Sequence, residues 1–392
     1  MTDYRSVETL EVFCQDERVG TLTKLPKGCE FRYEASFLAG SKPPIALHLP
    51  KTAEPLITEG ILNLPTYFAG LLPEGVMFAA ARSLIRSAKD DLFAILAATG
   101  RDAIGDVDVR VPGETDRKPS VLNLGEAKET IEAILSRAGG HVEVLSAIAG
   151  VQPKISLGGI VRASRGPRYI AKFSPPEFPG LAENELACMT LARKCGLRAP
   201  RSRIESGVYV IERFDRENLE NGNIHKLHVE DMLQVMNLFP HRKYGLDFVE
   251  ICQTMEQLGV SAAGILETMK LYAFSYIVGN GDLHAKNVSL IRRENGQWMP
   301  SPVYDIVSTL PYKETLLGAD LMALALADEA LGRFDLGDFV GFGVRFGIPE
   351  RAVRNEITKI AGSVGRNATT LRSGLPDEVI QVVTSRAEGL AG

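Results

Sequence analysis

The sequence feature that most constrains the fold is the pair Asn295-Gly296, which stands between the β-like runs VSLIRR and QWMPSPVYD. Asn-Gly between two strands is the strongest short-range signal for a β-hairpin with a two-residue turn. With the pair at the centre of the turn, residues whose numbers sum to about 591 face each other. Asn287 is then expected opposite Tyr304 and beside Asp305, and the hairpin brings Asp282 to the same end.

These side chains are the groups that phosphoryl transfer from a nucleotide needs. Mg²⁺ prefers hard oxygen ligands, and a carboxylate orients or accepts the proton of the attacking hydroxyl. Asp282 and Asn287 are five residues apart, as are base and metal ligand in the protein-kinase catalytic loop, and Asp305 stands where a second metal ligand would. The alternative is that Asp282 caps a turn, Asn287 begins a strand and Asp305 caps the next segment.

Two further side chains alternate with this set, and each has two interpretations. Lys286 can neutralise a transferring phosphate, or it can be a solvated surface lysine. His284 can bind a metal, but no second histidine stands at ligand spacing, which favours a loop histidine.

A nucleotide-binding half is indicated upstream. Lys172 lies in the strand-like RYIAKF, and Glu185 lies on the helix-like segment that follows. A strand lysine that contacts phosphates and is held by a helix glutamate is a kinase arrangement. The segment ERF, Glu212 to Phe214, occupies the position of a hinge whose backbone meets adenine, or is a strand end. The run AIAGVQPKISLGG contains neither G-x-x-x-x-G-K-[ST] nor G-x-G-x-x-G.

The order of patterns along the chain predicts an α+β, two-lobed, protein-kinase-like fold. Short β-like runs fill residues 7–50, up to IALHL at 45–49, and a helical pattern runs from Leu56 to about Thr99. A helix is expected over 125–139, a hairpin from KISLGGIV and RYIAKF, a helix over 182–195 and a strand at GVYVIERF. After about Asp231 helical periodicity dominates. The predicted units are a β-rich accessory subdomain (1–110), a nucleotide-binding N-lobe-like region (111–230) and a helical C-terminal lobe with the catalytic loop and metal-binding hairpin (231–392).

Composition excludes several classes of protein. Apolar runs are too short to span a bilayer, and the N-terminus does not read as a secretion signal, so a cytoplasmic location is expected. Five scattered cysteines without a CxxC pair disfavour a disulfide framework and a zinc site. A net charge of -5 makes the chain alone a poor autonomous binder of nucleic acid.

Seven short motifs follow one another along the chain: AGVQPK (149–154), YIAKF (169–173), ENE (183–185), ERFDR (212–216), HVEDM (228–232), NGDLHAKN (280–287) and YDIVS (304–308). In order and spacing they resemble those of the HipA family of bacterial serine/threonine kinase toxins. FAGLLPEG (68–75) and GRDAIGDVDV (100–109) resemble the accessory subdomain of the same family. The resemblance covers nearly the whole chain.

The resemblance implies roles for individual residues. Asp282 would be the catalytic base, with Lys286 beside it, and Asn287 and Asp305 would hold Mg²⁺. ATP would be contacted by a larger set, namely Ala149, Gly150, Val151, Gln152, Pro153, Lys154, Lys172, Glu185, Glu212, Arg213, Phe214, His284, Lys286, Asn287, Tyr304 and Asp305. Family members phosphorylate an aminoacyl-tRNA synthetase and are neutralised by a small helix-turn-helix antitoxin, which would connect this chain to DNA only indirectly.

One position departs from the family pattern. Many members carry an autophosphorylated serine three residues before the glycine of the AGxQPK-like motif, where this chain has Ala147 with Ser146 as its neighbour. Two other functions stay open at this stage. One is a small-molecule kinase, and the other is a catalytically silent binding module that acts in repression at DNA together with an antitoxin.

Overall fold

The computed structural model describes residues 3–60, 64–74, 78, 81–82, 85, 91–114, 154–157, 168–174, 177–220, 223–316, 318–326 and 332–392. The predicted helix at 125–139, the hairpin loop RASRGP and the segment 146–153 lie outside the described residues.

An antiparallel five-stranded sheet forms the N-terminal part of the molecule, with the strand order β4-β3-β2-β1-β5. Side chains alternate between the two faces of a strand, so Leu10 and Val12 of β1 point into one core with Leu22 of β2. Described helices add Phe37, Phe68 and Phe93 to that core, and Gly100 ends the helix of Phe93 as predicted. We call this sheet and its helices the N-terminal unit: β1 (Thr9–Cys14), β2 (Glu17–Leu25), β3 (Gly28–Tyr33), α1 (Ala35–Ala39), β4 (Leu56–Glu59), α2 (Thr66–Gly70), α3 (Leu92–Thr99) and β5 (Val107–Arg110).

Two predictions for the N-terminal unit are wrong. IALHL is not a strand: Ile45 and Ala46 are buried in a loop, and the Ile45 N–H donates to the Tyr33 hydroxyl at 3.2 Å. The helical pattern predicted from Leu56 begins with strand β4, which pairs with β3. In both cases tertiary packing overrides a local pattern in a short apolar run.

The second sheet carries the predicted nucleotide-binding half, with the antiparallel order β6-β7-β9-β8. Its first two strands are the predicted hairpin, and they align Lys154 with Lys172. The helix expected over 182–195 is present one residue earlier at each end, and Gly196 follows it with a φ of +83°, a backbone conformation that favours glycine. These elements are β6 (Lys154–Leu157), β7 (Tyr169–Lys172), α4 (Leu181–Lys194), β8 (Ser202–Glu205) and β9 (Val208–Glu212).

The Asn295-Gly296 hairpin is present, but its register is one residue away from the prediction. The paired residues are Leu290 with Pro300 and Ile291 with Met299. The Arg293 N–H donates to the carbonyl of Gln297 at 2.8 Å, which leaves a loop of three residues with Gly296 at a φ of +83°. A three-residue loop with glycine in the left-handed region is the next commonest hairpin. The strands are β12 (His228–Asp231), β13 (Ser289–Arg292) and β14 (Trp298–Pro300), preceded by the pair β10 (Arg216–Asn218) and β11 (Ile224–Lys226).

Helices dominate the chain after Asp231, as predicted. The central one, α7, is buried on nearly all sides and begins at Ser261, whose hydroxyl accepts the Gly264 N–H. Mixed helix and sheet content is therefore confirmed, and no described helix has the length and apolarity to cross a membrane. The helices are α5 (Met232–Val235), α6 (Phe248–Gln257), α7 (Ala262–Val278), α8 (Leu336–Arg345), α9 (Glu350–Asn367) and α10 (Asp377–Ala391).

Candidate active site

The loop from Asp282 to Asn287 follows the end of α7, and its backbone is tightly held. Gly279 closes the helix with a φ of +72°, and a Cβ on Gly281 would lie 2.6 Å from the carbonyl oxygen of Leu321. The Asn287 side-chain NH₂ donates to the carbonyl of Asp282 at 2.9 Å, so the loop folds back on itself. We call residues 282–287 the catalytic loop.

The Asp282 carboxylate is buried, with 6% of the residue exposed. The Tyr244 hydroxyl donates a hydrogen bond to its Oδ1 at 3.1 Å. Burial raises the pKa of Asp282 to about 7, and the negative charges of Glu74 and Asp305 contribute in the same direction against the opposing effect of Lys243. A carboxylate with a pKa near neutrality is suited to proton transfer.

Lys172 joins the second sheet to the catalytic region. Its ammonium contacts Glu185 Oε1 on α4 at 2.5 Å and also pairs with Asp305 Oδ1. Burial favours the neutral amine, but the carboxylates of Asp305 and Glu185 outweigh it and raise the pKa of Lys172. The predicted strand-lysine and helix-glutamate pair is therefore present, and the same lysine reaches the predicted metal ligand.

Asp305 has a φ of +54°, which is uncommon for a residue other than glycine. Asn184, next to Glu185 on α4, holds the chain just beyond it. The Asn184 side chain donates to the Ser308 carbonyl and accepts the Ser308 N–H, both at 2.8 Å. Strained backbone of this kind persists where the surroundings fix it, and it is concentrated at functional sites.

Tyr304 lies between the hairpin and the predicted hinge. Its hydroxyl donates to the Lys286 carbonyl at 2.7 Å and lies 2.5 Å from Ser289 Oγ. Its ring stacks on Phe214, with the centroids 5.3 Å apart. The bond between Tyr304 and the Lys286 carbonyl therefore holds the next residues, Asp305 and Asn287, in one region. Asn287 is nevertheless not opposite Tyr304 in the hairpin register.

The other two residues of the predicted hinge, Glu212 and Arg213, do not take part in this stack of rings. The Glu212 side chain is exposed, and its N–H donates to the Arg201 carbonyl at 2.9 Å. The Arg213 N–H donates to the Arg168 carbonyl, and its guanidinium is bound by Asp215 and by Asp102 of the N-terminal unit.

Lys286 and His284 differ sharply in their surroundings. The Lys286 ammonium contacts Glu74 Oε1 and the Gly70 carbonyl, each at 2.9 Å, and lies 3.5 Å from Asp231 Oδ2. Neither ring nitrogen of His284 has a hydrogen-bond partner among the described residues. Burial lowers the pKa of His284 to about 3, so its ring is neutral.

The predicted and the observed sets of site residues differ in two ways. Several predicted residues lie in a part of the chain that the structure does not describe, and several residues that contact the catalytic loop were not predicted. Ala149 to Pro153, together with Ser146 and Ala147, lie outside the described residues, and of Lys154 only the backbone is described. Glu74 and Asp231 occur in motifs that carried the family resemblance, so those motifs could have indicated them. Lys243 and Tyr244 had no comparable signal. No group of three or more His, Cys, Asp or Glu side chains with the geometry of a metal site occurs in the described part of the chain.

Comparison with known proteins gives a consistent result over most of the chain. Residues 10–110 match the model of the HipA N-terminal domain, and residues 146–368 match that of the HipA-like C-terminal domain. The protein named "Putative kinase Y4dM" of Sinorhizobium fredii is 31% identical over 350 residues, which are 81% of this chain and 80% of that protein. The serine/threonine-protein kinase toxin HipA of Shewanella oneidensis is 24% identical over 343 residues, covering 78% of this chain and 77% of the toxin.

A solved structure has the same fold. The complex of HipA, HipB and operator DNA from Shewanella oneidensis contains a chain that aligns over 97% of both molecules with a TM-score of 0.76 and 20% identity.

Proposed function

The chain belongs to the HipA family of kinase toxins, and we propose that it is an ATP- and Mg²⁺-dependent serine/threonine protein kinase, the toxin of a toxin–antitoxin pair. One observation carries the proposal. Lys172, paired with Glu185 and Asp305, and the buried carboxylate of Asp282 belong to a single cluster of charges. Phosphoryl transfer needs this combination of a phosphate-binding cation, a metal-binding carboxylate and a base.

Asp282 is the proposed general base. Its Oδ1 accepts a hydrogen bond from the hydroxyl of Tyr244, which is the kind of contact that the hydroxyl of an acceptor would make in its place. In the proposed reaction a serine or threonine oxygen bonds to the γ-phosphorus of ATP while the bond to the β,γ-bridging oxygen breaks. Asp282 takes the hydroxyl proton, and ADP leaves.

Asn287 and Asp305 are the proposed metal ligands. Because the Asn287 NH₂ donates to Asp282 O, its amide oxygen is the atom that can face a cation. One amide oxygen and one carboxylate suit Mg²⁺, which commonly takes one or two carboxylates and completes its coordination with phosphate oxygens and water. When bound, Mg²⁺ would neutralise charge on the transferring phosphate.

Nucleotide binding is assigned by proposal to the second sheet and its surroundings. Lys172 would contact the phosphates, and the stacked rings of Phe214 and Tyr304 would offer an apolar face to adenine. His284, neutral and without a partner among the described residues, can donate one hydrogen bond. The remaining proposed contacts are Ala149 to Lys154, Glu185, Lys286 and the backbone of Glu212 and Arg213.

The partner and the acceptor are also proposed. The solved relative is in a complex with HipB and operator DNA, which supports a small DNA-binding antitoxin for this chain. From the family resemblance, the proposed acceptor is a translation component such as an aminoacyl-tRNA synthetase, in the cytoplasm.

The test is transfer of label from γ-labelled ATP with Mg²⁺ to a fraction of bacterial proteins, with phosphoamino acid analysis of the product. Asp282→Asn should lower the rate by about 10²–10⁴-fold, the usual contribution of a general base, while ATP binding is retained. The matched control is Asp377→Asn, at an exposed aspartate on α10, which should leave the rate unchanged.

Three outcomes would contradict the proposal. Absence of transfer by the wild-type protein would favour a silent binding module. Label on small hydroxyl compounds but not on protein would favour a small-molecule kinase. Equal rates for wild type and Asp282→Asn would remove Asp282 as the base.

A further inference from the structure

A single carboxylate of the N-terminal unit contacts two lysines, one within the catalytic loop and one on a segment that contacts the loop. Glu74 Oε1 lies 2.9 Å from the ammonium of Lys286, and Oε2 lies 2.6 Å from that of Lys243. The three side chains are 20%, 12% and 13% exposed. Ion pairs shielded from water in this way are less screened than surface pairs, so they hold geometry more firmly.

Lys243 connects Glu74 to the beginning of the loop. Its carbonyl accepts the N–H of Ala285 at 3.3 Å, and the next residue, Tyr244, donates to the Asp282 carboxylate. Displacement of Lys243 would therefore move both the backbone at Ala285 and the hydroxyl that contacts the proposed base.

Lys286 connects Glu74 to the other end of the loop. Its carbonyl accepts the Tyr304 hydroxyl at 2.7 Å, and the following residue is the proposed metal ligand Asn287. Its ammonium also contacts the Gly70 carbonyl, again in the N-terminal unit. Lys286 is thus anchored by the accessory part of the molecule on one side and by the hairpin region on the other.

We propose that Glu74 is a positioning residue for phosphoryl transfer, so that the N-terminal unit completes the active site by fixing both ends of the catalytic loop. The inference rests on the proposed function for its consequence on rate. Its structural part, the fixation of the loop, can be tested separately.

A purely structural role for Glu74 would be to fasten the N-terminal unit to the rest of the chain. Other buried ion pairs already connect these parts, among them Lys226 with Asp108 at 2.5 Å. Asp108→Asn is therefore the matched control, because it removes the carboxylate of a buried pair between the same two parts without touching the catalytic loop.

The experiment compares wild type, Glu74→Gln, Glu74→Asp and Asp108→Asn in the phosphoryl-transfer assay, using the full chain. Glu74→Gln keeps the size of the side chain and should lower kcat by about 10- to 100-fold, since misplacement of a catalytic group by about 1 Å costs this much. The KM for ATP should change less than kcat does, because Lys172 and the stacked rings of Phe214 and Tyr304 are untouched and only the proposed contact from Lys286 is affected. Glu74→Asp should recover part of kcat, and Asp108→Asn should stay within about twofold of wild type.

Amide hydrogen exchange of 282–288 provides a readout that does not require activity. Exchange at the N–H groups of Ala285 and Asn287, which donate to Lys243 O and His284 O, should be faster in Glu74→Gln than in wild type and Asp108→Asn. Unchanged exchange, or equal loss of kcat in Glu74→Gln and Asp108→Asn, would overturn the inference. If the wild type transfers no phosphate but the exchange difference is found, the proposed function fails and the positioning of the loop by Glu74 stands.

Discussion

The molecule contains two buried clusters of charge that are built differently. In the first, which we call the interface cluster, the Asp215 carboxylate accepts from Arg213 and Arg216, both at 2.7 Å, and from the Gly105 N–H at 2.8 Å. Asp102 of the N-terminal unit pairs with the same two arginines. Here each carboxylate is matched by cations.

In the second cluster, at the candidate active site, the Asp305 and Glu74 carboxylates pair with lysines, whereas the Asp282 carboxylate accepts the hydroxyl of a tyrosine. Asp282 is near Asp305 and Glu74, and the pKa of Asp282 is raised as a result of burial and these neighbours. By contrast, the arginines lower the pKa of Asp215, although burial opposes them. Matched buried charges are typical of structural cross-links, whereas perturbed and unmatched ones are typical of sites that bind or transform a ligand.

The largest expected effect is a loss of stability in Asp215→Asn, which changes the interface cluster. This change removes one of the carboxylates that bind the buried Arg213 and Arg216, so the free energy of unfolding should fall by about 3–5 kcal/mol. Transfer rate per folded molecule should remain within about twofold of wild type. Denaturant unfolding checks the change in stability, and a phosphoryl-transfer assay at low temperature checks the transfer rate.

The control for this variant is Glu267→Gln, which removes the partner of Arg198 in an exposed pair at 2.8 Å. Exposed pairs contribute about 0–1 kcal/mol, so this change should be small. A rate loss in Asp215→Asn as large as that of Asp282→Asn would mean that the interface cluster also serves the reaction, and the contrast between the clusters would be broken.

Much of the fold around the active site could be predicted from sequence, because local signals there agree with tertiary structure. The strand with Lys172, the helix with Glu185 and the Asn-Gly hairpin were expected and are present. The exact hairpin register could not be predicted, since Asn-Gly suits both a two-residue turn and the end of a three-residue one.

The contacts between distant parts of the chain could not be predicted in the same way. Asp102 pairs with Arg213, and Glu74 pairs with Lys243, and in each case the partners are more than a hundred residues apart in the sequence. Single-sequence periodicity reports only neighbours within an element. The motifs containing Glu74 and Asp231 indicated that these residues belong to the family pattern, but not what they contact.

A smaller effect, on the pH dependence of stability, concerns a buried histidine outside both clusters that is matched by carboxylates. His228, on β12, contacts Asp106 at 3.0 Å and Glu230 at 2.9 Å. Burial favours its neutral form, but these carboxylates raise the pKa of His228. A raised folded-state pKa contributes stability that is complete below the unfolded value of about 6.5 and is lost as pH rises through the folded value.

The free energy of unfolding should therefore fall as pH rises above about 6.5, with a slope of at most about 1.4 kcal/mol per pH unit for one proton. Denaturant unfolding at several pH values should show this slope in wild type and lose it in His228→Gln. An equal slope in both proteins would assign the pH dependence to another group and remove His228 from the set of matched structural charges.

The smallest expected effect is on the transfer rate and concerns Tyr244, which belongs to the cluster at the candidate active site. Its hydroxyl occupies the Asp282 oxygen that an acceptor hydroxyl would use, and 38% of the residue is exposed. An acceptor must therefore displace a hydrogen bond with a net value of about 0.5–1.5 kcal/mol. Tyr244→Phe should raise kcat/KM for the protein acceptor by about two- to tenfold and leave the KM for ATP unchanged.

Tyr312→Phe, which removes a hydroxyl that donates to the Pro179 carbonyl, is the control. A fall in kcat/KM for Tyr244→Phe alone would instead mean that the tyrosine positions the Asp282 carboxylate or helps to hold the acceptor, since loss of a purely competing hydrogen bond does not slow the reaction.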